Sequence, residues 1–253
     1  MNNMTFTRDN IVNYYKDLPN KDSVKYLSTH AKRYAFLLNL LTHIRNTIKE
    51  KNIRIIDIGP SYLTEQIQNG FKNDIVYSLG YSHPESRGGH FPEVVKLRED
   101  CIIHYDLNDI QFRDKWIAVP NCKIVILAEV MEHLYTAPSL ILNFISTFLD
   151  KDGILIIQTP NAVSLYNRIK VLCGQNPFEM IRENNQNPGH FREYTKQELF
   201  TLAEMCNYEV IDFIYSNYFD VEVVNLKIFL YKVLQCILGK SFYNGMTILL
   251  KKN

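Results

Sequence analysis

From residue 53 onward, short runs rich in Ile, Val and Leu alternate with stretches of helical periodicity, and few architectures accept that alternation. The apolar runs are Ile53–Ile58, Asp74–Leu79, Cys101–Tyr105, Lys123–Ala128, Gly153–Thr159, Tyr208–Ser216 and Met246–Lys251. Most are near-continuous, as strands buried on both faces should be. The helical stretches between them are Leu63–Gly70, Ala137–Leu149, Val163–Leu172, Lys196–Met205 and Val221–Leu238. Alternating β and α elements predict an α/β fold: a seven-stranded, mostly parallel sheet with helices on both faces. The late final helix and strand predict one antiparallel strand in that sheet.

Residues 1–50 differ in character. Ala31–Ile48 carries apolar residues at Tyr34, Leu37, Leu38, Leu41, Ile44 and Ile48, which is helical spacing. This predicts an N-terminal helical cap over 1–50 followed by one domain over 51–253. Tyr14, Tyr15, Tyr26 and Tyr34 are expected mainly as core in that segment. The N-terminus has no apolar core of a secretion signal. No run approaches the roughly 20 apolar residues of a membrane span. The nearest, Val221–Leu238, is interrupted by Glu222, Lys227 and Lys232, and it reads as a helix packed on the sheet. The five cysteines form no C-x-x-C pair and read as free thiols of a reducing compartment. Together these features predict a cytoplasmic protein. Lys and Arg total 28 against 27 for Asp and Glu, so no general attraction to nucleic acid or anionic membrane is expected.

The strongest local signal is Ile55-Ile56-Asp57-Ile58-Gly59-Pro60-Ser61: a buried strand, an acid, a glycine, then a turn into a helix. In open α/β sheets, ligands bind beyond the carboxyl ends of the strands. A single glycine is not the dinucleotide G-x-G-x-x-G pattern. A second strand ends at Tyr105-Asp106-Leu107-Asn108, where Asp106 suits an adenine amino group. Next come Ala128-Glu129-Val130-Met131-Glu132-His133-Leu134, then Gly153-Ile154-Leu155-Ile156-Ile157-Gln158-Thr159-Pro160-Asn161, and finally His190-Phe191-Arg192-Glu193-Tyr194-Thr195. Two long irregular stretches, Gly80–Asp100 and Gly174–Gly189, are expected at the ligand end of the sheet as lids.

Taken in order, these segments resemble the bacterial branch of the class I S-adenosylmethionine-dependent methyltransferases. That branch reads D-x-G, x-D-L, E-x-x-E-H-L, G-x-L-x-x-x-T-P-N and H-x-x-E-Y-T. The resemblance implies a Rossmann-like fold and S-adenosyl-L-methionine as cofactor. It implies that Asp57, Gly59, Pro60 and Ser61 hold the methionine part, that Asp106 and Leu107 flank the adenine, and that Glu129 sits beside the sulfonium. One departure is visible. The family ends its second strand with an acid for the ribose hydroxyls, and here Gly80 stands near that place, with Ser82, His83 or Glu85 as substitutes.

Methyl transfer needs an in-line approach and often a base, for which His133 and His190 are the candidates. If a helix begins near Glu129, then Glu129, Glu132 and His133 share one side of its first turn. With His190 they form a donor set for a divalent metal such as Mg, Mn or Zn. This is similar to the small-RNA 2′-O-methyltransferases and to quinone-precursor O-methyltransferases. The bland alternative is that these acids only favour a helix start. Thr195-x-x-Glu198 reads as a capping box. The leading expectation is O-methylation of a small molecule or sugar. The alternatives are a metal-dependent RNA terminal 2′-O-methyltransferase and a non-catalytic cofactor-binding scaffold.

Overall fold

A computed structural model of the chain describes residues 5–80, 95–184, 188–218 and 226–253, with side chains described outside 226–229. The strands are β1 (Arg54–Ile58), β2 (Ile75–Gly80), β3 (Ile102–His104), β4 (Cys122–Ala128), β5 (Leu149–Pro160), β6 (Tyr208–Ser216) and β7 (Gly245–Lys252). They form one seven-stranded sheet in the order β3-β2-β1-β4-β5-β7-β6. Strands β1 to β5 are parallel to one another, and β7 runs antiparallel to both β5 and β6. The single reversed strand is thus the last one, inserted between β5 and β6.

Two compact units divide the chain. One comprises residues 51–216 and 240–253 and contains the whole sheet. Along its central strands, Ile56, Ile58, Val125, Leu127, Leu155 and Ile157 join one buried cluster with Ile141, Phe144 and Ile145 of α4 (Pro138–Ser146) and Leu199 and Ala203 of α6 (Lys196–Met205). The alternate positions Ile55, Ile124, Ile126 and Ile156 are equally buried. Burial at both parities is why these runs read as continuous rather than alternating.

The other unit comprises residues 1–50 together with 217–239. It holds α1 (Arg8–Tyr14), α2 (Lys21–Thr47) and α7 (Leu226–Leu238). The late helix therefore groups with the N-terminal helices, whereas the sequence pattern predicts a contiguous domain over 51–253. The Phe36 and Tyr218 rings pack 5.4 Å apart within this unit. Helix α2 starts ten residues before the periodic stretch because Asn20 caps it, accepting from the Asp22 N–H at 2.9 Å. Tyr15 and Tyr34 are buried, while Tyr14 is exposed. Three cysteines, Cys101, Cys122 and Cys206, are buried; Cys173 and Cys236 are exposed. Among the described residues, no helix is long and apolar enough to cross a membrane.

Helix α3 (Tyr62–Gly70) follows β1 through a tight turn, and its start is fixed by a capping box. The Leu63 N–H bonds the Ser61 hydroxyl at 3.2 Å, and the Ser61 N–H bonds Thr64 Oγ1 at 2.9 Å. The Thr64 hydroxyl in turn donates to the buried Asp57 carboxylate at 2.5 Å. Asp57 thereby ties the end of β1 to the first turn of α3. Replacing Thr64 by Val leaves that buried acid short of a donor and should destabilise the fold by about 1–3 kcal/mol. A urea denaturation midpoint that does not move would show that this bond carries no weight.

Candidate functional site

The carboxyl ends of the central strands lie level with one another. Ile58 is in register with Leu79 of β2 and with Leu127 of β4, and Gly80 with His104 of β3. The D-x-G turn leaves this edge directly, its Gly59 N–H bonding the Leu79 carbonyl at 2.9 Å. A Cβ at Gly59 would stand 2.6 Å from Val130 Cγ2. The glycine thus admits the loop after β4 alongside the turn. Asp106 caps the short 3₁₀ turn Leu107–Gln111, its side chain accepting from the Asn108 N–H at 2.9 Å. Asn108 in turn accepts from the Tyr135 N–H at 3.2 Å, so the loops after β3 and β4 are tied together.

The absent ribose acid has a physical reason. Gly80 adopts φ 147°, a backbone conformation that side-chain-bearing residues rarely take, and a Cβ there would lie 2.8 Å from Pro60 Cδ. The end of β2 is packed against the D-x-G-P turn itself. The proposed substitutes Ser82, His83 and Glu85, like most of the first long loop, lie outside the described residues.

The segment after β4 is not the expected helix. Only Met131–His133 form a 3₁₀ turn, and Glu129 takes a left-handed φ of 55°. Its N–H bonds the Gln158 carbonyl at 2.8 Å, which carries the parallel β4/β5 pairing one residue past the end of β4. Left-handed backbone at a non-glycine residue is uncommon and concentrates at functional sites. Glu129 is therefore separated from Glu132 and His133 by a backbone turn, not stacked with them on a helix face.

Glu132 is the hub of the site. Its carboxylate is fully buried and accepts from the Thr159 hydroxyl at 3.2 Å. Its main-chain carbonyl accepts the Phe191 N–H at 2.8 Å and the Arg192 N–H at 3.4 Å. This clasp draws the segment before α6 onto the 131–133 turn. The His133 and His190 rings consequently meet edge to face, with centroids 4.8 Å apart. His133 Nδ1 lies 3.0 Å from the Gly189 carbonyl oxygen, which can only accept, so Nδ1 carries the proton and Nε2 is left bare in the neutral ring. His190 Nδ1 lies 2.9 Å from Glu193 Oε1. Glu193 Oε2 accepts from the Asn167 amide at 3.3 Å. The segment is held further by the Ala162 N–H to Tyr194 carbonyl bond at 2.9 Å and by the Thr195–Glu198 capping box of α6.

Ligating atoms of Glu132, His133 and His190 lie within 4.8 Å of one another, and Glu129 is not in that group. Sequence reasoning misses Glu193, Thr159 and Asn167. The three-residue spacing from His190 to Glu193 is the available signal, overshadowed by the capping box two residues later. Only the fold makes Thr159 and Asn167 neighbours of the site.

The two imidazoles titrate in opposite senses. Burial, then the neighbouring His190, push His133 down to about 4, so it is neutral at pH 7. Burial opposes charge on His190 too, yet the hydrogen bond and charge of Glu193, with Glu129 and Glu179 beyond, raise its pKa above the ordinary value.

This sheet order is shared with solved S-adenosylmethionine-dependent methyltransferases. The chain is similar to such an enzyme from Archaeoglobus fulgidus, at 14% identity and a TM-score of 0.52, over 87% of this chain and 94% of that one. It is similar to magnesium protoporphyrin IX methyltransferase from Synechocystis, solved with S-adenosylhomocysteine bound, at 9% identity and 0.53 over 97% and 93% of the two chains. It is also similar to the N-methyltransferase NodS of Bradyrhizobium japonicum, solved with the same ligand, at 10% identity and 0.53 over 96% and 97%. No family model matches the sequence, and no curated protein matches it.

Two outcomes are expected of the site. In a metal-free sample, NMR titration of the imidazole carbons should show His133 neutral down to about pH 4 and His190 titrating above 6.5. His190 thus stabilises the fold below its unfolded pKa and loses that contribution as pH rises through its raised value. His133 costs stability as pH falls from 6.5 toward about 4. Two overlapping titrations near 6.5 would contradict this environment. Separately, Gly80→Asp should destabilise the fold by about 1–3 kcal/mol in thermal melting, because its Cβ meets Pro60 in a backbone conformation that side-chain-bearing residues rarely take.

Proposed function

We propose that this chain is an S-adenosylmethionine-dependent methyltransferase that methylates an oxygen of a small-molecule or sugar acceptor. The observation that carries this reading is the meeting of His133, His190 and the buried Glu132 beside the strand end that bears Glu129. The fold is one that other chains use to bind S-adenosylhomocysteine. The residues present suit such a ligand in part. The backbone of Gly59 and Gly80 is closely packed at the edge, and Asp106 and Glu129 are carboxylates just beyond the ends of β3 and β4. The acid for a ribose diol has no counterpart at Gly80.

In this reading Gly59, Pro60 and Ser61 border the methionine part, with Asp57 bracing that turn through Thr64. Asp106 and Leu107 border the adenine, and Glu129 faces the charged end. The bound cofactor supplies a methyl group on a sulfonium. The chain's own contribution is to hold the acceptor in line and ease the loss of its proton. An amine can attack as its free base, whereas a hydroxyl must shed a proton, and this is the task for which a histidine backed by a carboxylate is suited. Glu193, steadied by Asn167, holds the His190 ring so that Nε2 is the atom left for the acceptor. The neutral His133 offers a second lone pair. The balanced net charge of +1 favours an uncharged or modestly charged small acceptor over a polyanion.

The test is transfer of label from methyl-labelled cofactor to a panel of hydroxyl and amine acceptors. Hydroxyl compounds should be labelled, and His190→Ala should lower turnover at least ~10-fold while cofactor affinity is kept. Labelling of amines alone, or an unchanged rate in the variant, would refute the assignment.

A further inference from the structure

We infer that helix α7 is a docking surface for an anionic lipid bilayer and lies flat in its headgroup layer. The sequence pattern predicts that this helix packs its apolar stripe on the sheet, and the fold does the opposite. Leu230, Val233, Leu234, Ile237 and Leu238 follow the i, i+3, i+4, i+7, i+8 spacing of one helix face. All five are exposed, by 56%, 40%, 42%, 76% and 41% respectively. Of residues 230–238 only Gln235 is buried, at 3%, and its side-chain oxygen accepts from the Asn217 amide at 2.8 Å. The helix is thus fastened to its unit through a polar residue and turns its apolar stripe to solvent. A helix of a globular protein ordinarily does the reverse. Five exposed apolar side chains on adjacent turns form the kind of patch that marks an interaction surface.

The charge around the stripe selects the occupant. The whole chain is balanced, but from Val223 to Gly245 it has three lysines, Lys227, Lys232 and Lys240, and no acid. Lys232 and Lys240 are exposed. An apolar stripe joined to cations without acids matches a bilayer surface, with acyl chains for the stripe and lipid phosphates for the lysines. A second copy of this chain would bring the same lysines and no acid to meet them, so the charges favour lipid. Helix length decides the geometry. Its 13 residues rise about 20 Å, against a hydrocarbon core of about 30 Å, so the helix rests in the surface and does not cross it. This contact uses no residue of the histidine centre and is independent of the proposed reaction.

The experiment is co-sedimentation of the full chain with vesicles of phosphatidylcholine alone and of phosphatidylcholine mixed with phosphatidylglycerol. The chain should bind the mixed vesicles at least ~10-fold more tightly, and raising the salt from about 0.1 M to about 1 M should remove most of that difference. Leu230→Gln combined with Ile237→Gln should weaken binding to the mixed vesicles at least ~10-fold. Both positions are exposed, so thermal melting of that variant should be unchanged. Lys232→Gln combined with Lys240→Gln should remove most of the preference for the mixed vesicles. No binding to the mixed vesicles would overturn the docking surface, as would binding unaltered in the Leu230, Ile237 variant. A dimer in size-exclusion chromatography that this variant dissolves, with no vesicle binding, would assign the face to a second copy and overturn it as well. Methyl transfer plays no part in the readout, so failure here leaves the proposed reaction untouched.

Discussion

One main-chain carbonyl, that of Glu132, draws the two histidine-bearing segments together. It receives two N–H groups from Phe191 and Arg192 and so joins chain segments nearly sixty residues apart. That clasp, with the bond from His133 Nδ1 to the Gly189 carbonyl, sets His190 against His133. The same residue sends its carboxylate inward to Thr159 of β5, so the turn that carries it is anchored to the sheet. A buried carboxylate is costly unless its oxygens find donors or a cation. Its presence here, together with the left-handed backbone at Glu129, marks strain kept in place by the surrounding structure.

The site falls into two parts with different physics. At the sheet edge, short distances between backbone segments dominate: Gly59 against Val130, Gly80 against Pro60. There the acid Asp57 accepts from the Thr64 hydroxyl and so holds the first turn of α3. At the histidine centre, protonation and orientation dominate. One ring is kept neutral by burial, and the other is biased toward its charged form by Glu193. Two like groups with opposed environments are a recurring arrangement where one must accept and the other must donate or ligate.

Much of this was legible in the sequence because the physics involved is local or periodic. The buried runs Ile53–Ile58 and Lys123–Ala128 announce central strands, and Thr195-x-x-Glu198 announces its cap. The late reversal of β7 was legible from element order. What was not legible depends on tertiary packing. The E-x-x-E-H spacing suggests a helix face, but Glu129 takes a left-handed φ of 55° and only Met131–His133 form a short 3₁₀ turn, so the three side chains share no helical face. Gly80 looks like a lost ligand residue; in the fold it is a packing requirement set by Pro60. The segment 217–239 reads as part of the sheet domain because it sits between β6 and β7, yet it groups with α1 and α2.

The central claim is that the carboxyl edge of the sheet and the histidine centre serve one reaction. A crystal structure of the chain with S-adenosylhomocysteine bound tests it most directly. The account predicts the adenine beside Asp106 and Leu107, the amino-acid end at the Gly59–Ser61 turn, and the sulfur facing His133 and His190. Ligand bound elsewhere, or bound with its sulfur turned away from both imidazoles, would contradict it.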